Sequence, residues 1–324
     1  MKAAVVNTLG QSPVYADFAE PQPDNGMVVA TVAAASLKNL DRGLISGAHY
    51  GSAALKLPIV AGIDGVAMLD DGRLVYARAI DPFGLMAERT LIDPRRAVEL
   101  PAGVDAVVGA AIPNPGVSAW FSLEYAGRIQ PGQRVLVLGA TGVTGAIAVQ
   151  LAKAQFGAGN VVVAGRNADR LAWLRTVGAD DVINLGSEDL GERIAAEHAA
   201  QPFDIVIDYL WGSPAEQVLA ALGNNDLGTG FHATRYVEVG TMAGPTVTLS
   251  GGILRSAGIE ICGFGIGSVP PAEQARVATE VLPALFAMVA DGTLHIDARA
   301  HPLADVEKIW TAPEPTGSRT VLVP

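Results

Sequence analysis

One cysteine and five histidines in 324 residues leave this chain poor in the side chains that build disulfides and metal sites. The lone thiol, Cys262, excludes an internal disulfide and any site that needs two thiolates. It sits in Ile-Glu-Ile-Cys-Gly-Phe-Gly, an alternating run that reads as a strand carrying a buried core thiol rather than a nucleophile. His49, His198, His232, His295 and His301 show no His-Glu-x-x-His or comparable pairing, so no metal site is expected. Positive charge is also scarce: 22 Lys and Arg against 33 Asp and Glu give a net charge of −11. The basic residues are scattered, which argues against a nucleic-acid partner. No window holds eighteen uninterrupted apolar residues, and Met1-Lys2 leads straight into a strand-like Ala-Ala-Val-Val without a secretory pattern, so the expectation is a cytoplasmic protein that spans no membrane.

What the chain does have is apolar mass, half of its residues, enough at this length for two cores. Its organising stretch is Arg134 to Gly157. Val135 to Leu138 form a short unbroken apolar run suited to a buried parallel strand, and helical spacing follows through Ile147, Leu151 and Ala154 to a stop at Gly157. Between strand and helix lie Gly139, Gly142 and Gly145, where a tight turn and close backbone approach aim a helix N-terminus at a pyrophosphate. A second buried strand, Val161 to Ala164, ends about 20 residues past the last glycine, where a ribose-reading residue belongs.

At that point stand Gly165, Arg166, Asn167 and then Arg170. A fold that takes NAD places Asp or Glu there; glycine and arginine instead predict NADP(H). Arg166 and Arg170, four apart at the start of the next helix, are expected to share one face and grip one phosphate. Two charge-assisted hydrogen bonds at roughly 1.5–3 kcal/mol each would favour NADPH over NADH on the order of a hundredfold or more. The alternative is two solvated surface arginines.

From Lys2 to Thr90 short apolar runs broken by Pro, Gly and Asp predict an antiparallel β-rich domain, with Asn39, Asp41, His49 and Tyr50 in polar loops. From Val135 onward strands alternate with helices, which predicts a doubly wound parallel sheet. The tail shows one helix, about Ala272 to Asp291, and short segments that return to complete the first domain. There is no internal repeat.

Laid out in this order, the residues resemble the medium-chain dehydrogenase/reductase superfamily and, within it, the zinc-free quinone oxidoreductase branch. The matching segments run nearly the whole length: Ala-Ala-Ser-Leu-Lys-Asn-Leu-Asp before Ser-Gly-Ala-His-Tyr, Leu-Pro-Ile-Val-Ala-Gly-Ile-Asp-Gly, Val-Ser-Ala-Trp-Phe-Ser-Leu, the glycine turn, Arg-Tyr-Val-Glu-Val-Gly, Gly-Phe-Gly-Ile-Gly and the terminal Gly-Ser-Arg-Thr-Val-Leu-Val. The resemblance implies an α/β protein: a Rossmann doubly wound parallel-sheet domain at 114–264, and a β-rich GroES-like catalytic domain built from 1–113 and 265–324. It implies NADP(H) and substrate in a cleft between domains, and a homodimer formed by edge strands, here Ile259–Gly263. Zinc-dependent relatives carry a catalytic Cys, a Gly-His-Glu and a four-cysteine lobe; here Gly62-Ile63-Asp64 stands in the second place and no cysteine precedes Cys262.

Carried over residue by residue, the resemblance puts Thr141, Gly142, Val143 and Thr144 at the pyrophosphate and Arg166, Asn167 and Arg170 at the 2′-phosphate. It puts Gly240 and Thr241 beside the nicotinamide ribose, with Gly265 and Ile266 as further choices. Arg319 stands where relatives often have a lysine near the adenosine phosphate, a surface arginine being the alternative. Tyr50 aligns with a tyrosine at the substrate, and Asn39 with a polar residue near the nicotinamide; a packed loop tyrosine and a turn-forming asparagine are the competing readings. The family turn usually ends Gly-Gly-Val-Gly, whereas Val143 and Thr144 here add side chains. The segment between Val66 and Glu88 is short and the Leu222–Arg235 loop long, so the pocket differs from that of relatives.

The implied reaction is hydride transfer from NADPH to a quinone or an α,β-unsaturated carbonyl compound, without zinc, because a conjugated acceptor spreads the charge that an isolated carbonyl would concentrate on one oxygen. A non-catalytic NADPH-binding redox sensor on the same scaffold stays open. The short-chain dehydrogenase class is disfavoured, since no tyrosine has a lysine four residues on.

Overall fold

The structure, a computed structural model, describes residues 1–223 and 231–324, and of Tyr50 the backbone alone. It divides into two compact units, Met1–Asn114 with Arg276–Pro324, and Pro115–Ala275.

In the first unit the strands form two sheets. Lys2–Val6 runs between Val14–Asp17 and Ile59–Val60. A seven-stranded sheet is ordered Asp297–Pro302, Ser318–Val323, Val28–Ser36, Asp64–Met68, Leu74–Arg78 and Val98–Glu99, with Arg89–Ile92 also on Val28–Ser36. The tail enters by pairing Val321 with Ser36 and Leu322 with Ala35, antiparallel. Leu322 and Trp310 thereby join Ala4, Val6, Leu37 and Ile45 in one buried cluster; burial of these apolar side chains is what fastens the tail to the strands it meets.

The second unit holds a six-stranded, wholly parallel sheet: Asp181–Asn184, Asn160–Gly165, Arg134–Leu138, Ile205–Asp208, Ala233–Glu238 and Gly258–Gly263. Val135 to Leu138 and Val161 to Ala164 are fully buried, as expected for central parallel strands covered on both faces. Counted in chain order the strands run 3-2-1-4-5-6, so the winding reverses at Arg134–Leu138; ligands of such sheets bind beyond the carboxyl ends of the strands at that reversal.

Three elements differ from expectation. Asn39 and Asp41 lie not in a loop but in the helix Asn39–Ser46, because the Asp41 carboxylate accepts from Lys38 N at 2.9 Å and caps the helix start. The tail helix is Pro271–Arg276, a π turn Val277–Val281, then Leu282–Ala290. Cys262 lies on the edge strand Gly258–Gly263 and is half-buried rather than in the core. Among the described residues no helix is long and apolar enough to cross a membrane.

Candidate functional site

The site is built at the carboxyl end of Arg134–Leu138. Leaving that strand, Gly139 takes φ +76°, and Gly139 N and Ala140 N both donate to Ala164 O, at 3.0 and 3.1 Å. The turn then folds on itself, Gly142 N donating to Gly139 O at 3.0 Å. Gly145 must be glycine, since a β-carbon there would lie 2.5 Å from Gly139 O and 2.7 Å from Ala140 Cα. These contacts start the helix Val143–Ala154 with Gly142 as N-cap and no side chain on the cap. The first-turn N–H groups have no partner within the helix and point beyond it with the positive end of the helix dipole. Gly142, Val143 and Thr144 are half-buried and Thr141 is buried, so the side chains at 143 and 144 leave the amides reachable.

The ribose end lies one strand over. Asn160–Gly165 ends in a buried glycine, Arg166 is exposed, and Asn167 caps the helix Ala168–Thr176, its Oδ1 accepting from Arg170 N at 3.0 Å. Arg166 thus precedes the cap and is not on the helix; the expectation that it shares a helical face with Arg170 fails. A residue missed in the sequence holds Arg170 instead: its guanidinium carbon sits 4.2 Å from the centre of the Trp173 ring, a cation–π contact at helical i,i+3 spacing.

On the other side of the reversal, Ile205–Asp208 and Ala233–Glu238 end side by side. Asp208 is fully buried. Its Oδ1 accepts from Leu210 N at 2.7 Å and Trp211 N at 3.1 Å, and its Oδ2 from the Tyr236 hydroxyl at 2.6 Å. Burial raises its pKa, and those hydrogen bonds oppose the rise without cancelling it. Glu238 is raised as well, by burial and then by the charge of Asp208. The Asp208 bonds hold Trp211 at φ +53°, and Val239 N and Gly240 N donate to Asp208 O at 2.8 and 3.2 Å, which fixes the backbone leading to Gly240 and the exposed Thr241. Nothing in the local sequence marks Asp208 as a hub. Gly265 is exposed and Ile266 is 48% exposed, just past Gly258–Gly263.

In the first unit Asn39 is exposed on the first turn of its helix, while its neighbour Lys38 is 1% exposed. Lys38 Nζ donates to Asp64 Oδ1 at 2.7 Å, Ser36 O at 2.8 Å and Ser36 Oγ at 3.2 Å, and lies 3.4 Å from Asp41 Oδ2. The Tyr76 hydroxyl donates to Asp64 Oδ2 at 2.9 Å. Burial alone would lower the lysine pKa, but Asp41 and Asp64 outweigh it and the value is raised. Arg319, expected near a phosphate or on the surface, is 7% exposed and donates to Leu37 O at 3.2 Å; burial lowers its pKa, and the surface alternative falls. Tyr50 starts a 3₁₀ turn capped by His49, whose Nδ1 accepts from Gly51 N at 3.0 Å; its side chain lies outside the described residues, as does the 224–230 part of the Leu222–Arg235 loop.

Residues 143–282 match the family described as zinc-binding dehydrogenase. The chain is 28% identical over 368 aligned residues to a probable NADPH-dependent quinone reductase of Emericella nidulans, covering 100% of both chains. It is 28% identical over 236 residues to a trans-enoyl reductase of Aspergillus terreus, 72% of this chain and 60% of that one. The quinone oxidoreductase of Thermus thermophilus, solved alone and with NADPH, superimposes with a TM-score of 0.80 at 26% identity, covering 100% of both chains.

At Gly62-Ile63-Asp64 the donor chemistry does not fit zinc. In Gly62-Ile63-Asp64, Ile63 offers no ligand atom, and both oxygens of Asp64 are engaged by Lys38 and Tyr76. Among the described residues no three His, Cys, Asp or Glu side chains are grouped to hold a metal ion. The glycine turn, by contrast, fits a nucleotide phosphate: glycine at 145 lets the helix start close against Gly139 and Ala140, and the turn opens on uncapped amides.

Proposed function

We propose that the chain is a member of the medium-chain dehydrogenase/reductase superfamily, in its quinone oxidoreductase branch, and an NADPH-dependent oxidoreductase that reduces a quinone or an α,β-unsaturated carbonyl compound without zinc. The observation that carries the reading is the amide-lined turn at the sheet's reversal, continued to Gly165-Arg166 where a carboxylate would select NAD. The relatives' names support the same acceptor class.

When bound, NADPH supplies the hydride. The amides of Val143 and Thr144 hold the pyrophosphate, and Arg166 and Arg170 the 2′-phosphate, Arg170 aimed by Trp173 and by the Asn167 cap. Gly240 and Thr241, fixed through Asp208, line the nicotinamide ribose, and Gly265 and Ile266 are the outer members of that side. Asn39 and Tyr50 are the proposed groups beside nicotinamide and substrate, with the Tyr50 hydroxyl as proton or hydrogen-bond donor. The Lys38 cluster fixes the helix start that carries Asn39. Arg319 remains a phosphate candidate by resemblance only; its burial and its bond to Leu37 support a structural role. The protein is proposed to be cytoplasmic and homodimeric.

The test is anaerobic oxidation of NADPH and NADH with quinones, 2-alkenals, enones and simple ketones. Turnover with NADPH on the conjugated acceptors, and not on simple ketones, is the expected result. NADPH binding without turnover on any acceptor would replace the reductase with a non-catalytic sensor.

A further inference from the structure

Gly165 is the last residue of its strand, the position from which a ribose-reading carboxylate projects in folds that take NAD. A β-carbon placed there would fall 2.4 Å from Thr141 Cγ2, 2.9 Å from Thr141 Oγ1 and 3.2 Å from Thr141 Cβ. The three nearest atoms therefore belong to one side chain. That side chain is 7% exposed, and the loop beneath it is tied to the strand by the bonds from Gly139 N and Ala140 N to Ala164 O. The strand end is held from its other edge, where Leu185 N donates to Gly165 O at 2.9 Å. Rotation about χ1 gives no relief. Threonine carries two heavy atoms on Cβ, so any staggered rotamer keeps at least one of the two colliding positions filled.

We propose that Thr141 and Gly165 act as a coupled specificity pair: the threonine side chain fills the space a carboxylate for the ribose 2′-hydroxyl would need, so cofactor choice rests on this contact as well as on Arg166 and Arg170. The inference rests on the NADPH reading of the turn. It has a consequence that the arginines alone do not: an acid introduced at the strand end cannot reach the ribose until position 141 is vacated.

Gly165→Asp, Thr141→Gly and the double variant are compared with the parent chain by fluorescence titration with NADH and NADPH and by thermal melting without nucleotide. The melting comparison is repeated with Gly165→Ala, which adds the β-carbon without a charge. Each Gly165 single variant is expected to melt below the parent, and Gly165→Asp to bind NADH no more tightly than the parent does. In the Thr141→Gly background most of the melting loss disappears. The Thr141→Gly/Gly165→Asp protein then binds NADH about tenfold or more tighter than either single variant, the effect of one charge-assisted hydrogen bond. Additive effects on NADH binding, or a gain in Gly165→Asp alone equal to that of the pair, would overturn the proposal. Melting needs no nucleotide, so failure of the cofactor reading is distinguishable. A parent chain that binds neither nucleotide, with melting still non-additive, would refute the NADPH reading and leave the contact as packing.

Discussion

An ammonium persists in the first unit at Lys38 because oxygens meet it on every side: Asp64, both oxygens of Ser36, and Asp41. Removing it strands two carboxylates in the core. Lys38→Met should therefore cost about 3–5 kcal/mol, as for breaking a buried pair, read from urea unfolding midpoints; a loss under about 1 kcal/mol would mean that water reaches the carboxylates. With its folded pKa above the ordinary lysine value of 10.5, the lysine contributes fully below that value, and its contribution is lost only as pH rises through the folded pKa. Asp208 makes a claim in the acid range. Its folded pKa lies above 3.8, so the folded state holds the proton more tightly than the unfolded one. Its stabilising contribution is complete below 3.8 and declines as pH climbs through the raised value. Asp208→Asn removes that slope, so its cost in urea midpoints should shrink from acid towards neutral pH; a cost that grows instead would contradict the raised pKa. Neither hub was legible in the sequence, because Lys38 and Asp64 are 26 residues apart and Asp208 and Tyr236 are 28 apart, beyond any local pattern. Gly139, Gly142 and Gly145 were legible because the turn they make is local.

The elements read well where one period governs them and poorly where it changes. Val135 to Leu138 and Val161 to Ala164 are fully buried, as their unbroken apolar runs predict. The tail helix shows the limit: its apolar spacing suggests one continuous helix, yet Pro283 has no N–H to donate, and its ring crowds the carbonyl four residues back. The chain accommodates this with the π turn Val277–Val281, a one-residue insertion that leaves little mark on hydropathy. Local capping also decided Asn39, which reads as a loop residue until Asp41 is seen to cap its helix. Asn167 is a second such cap. Its Oδ1 accepts from Arg170 N, so Asn167→Ala should cost about 1 kcal/mol of stability and also release the first turn that aims Arg170. NADPH affinity should fall several-fold, on the order of a weakened phosphate contact, while NADH affinity stays within about twofold. Equal losses for the two nucleotides in the same titration would place Arg170 away from the 2′-phosphate.

For the whole molecule, the alternation of strands and helices was enough to predict a doubly wound sheet, but not how its last edge is left. Among the described residues Gly258–Gly263 pairs only with Ala233–Glu238, and an uncovered edge strand is a template for another chain. Phe264 N donates inward to Glu238 O at 2.7 Å. By the two-residue alternation of a parallel ladder, the N–H groups of Ile261 and Gly263 then face outward, while Ile259 N donates to Ala257 O at 2.9 Å. The strand is braced from behind, where Arg235 pairs with Glu260 and donates to Ala126 O, which supports the proposed pairing with a second copy related by a twofold axis. Ile261→Pro would remove one outward donor and leave the inward ladder intact, since proline is tolerated on edge strands. Light scattering coupled to size exclusion should give a dimer for the parent chain and a monomer for Ile261→Pro, with the far-ultraviolet circular dichroism unchanged. A variant that stays dimeric, or a parent chain that is monomeric at micromolar concentration, would remove this edge as the interface. A variant that loses its circular dichroism would show that the edge strand cannot take proline, and Ile261→Arg, which keeps the backbone donor but sets like charges against each other near the twofold axis, would then decide the same question.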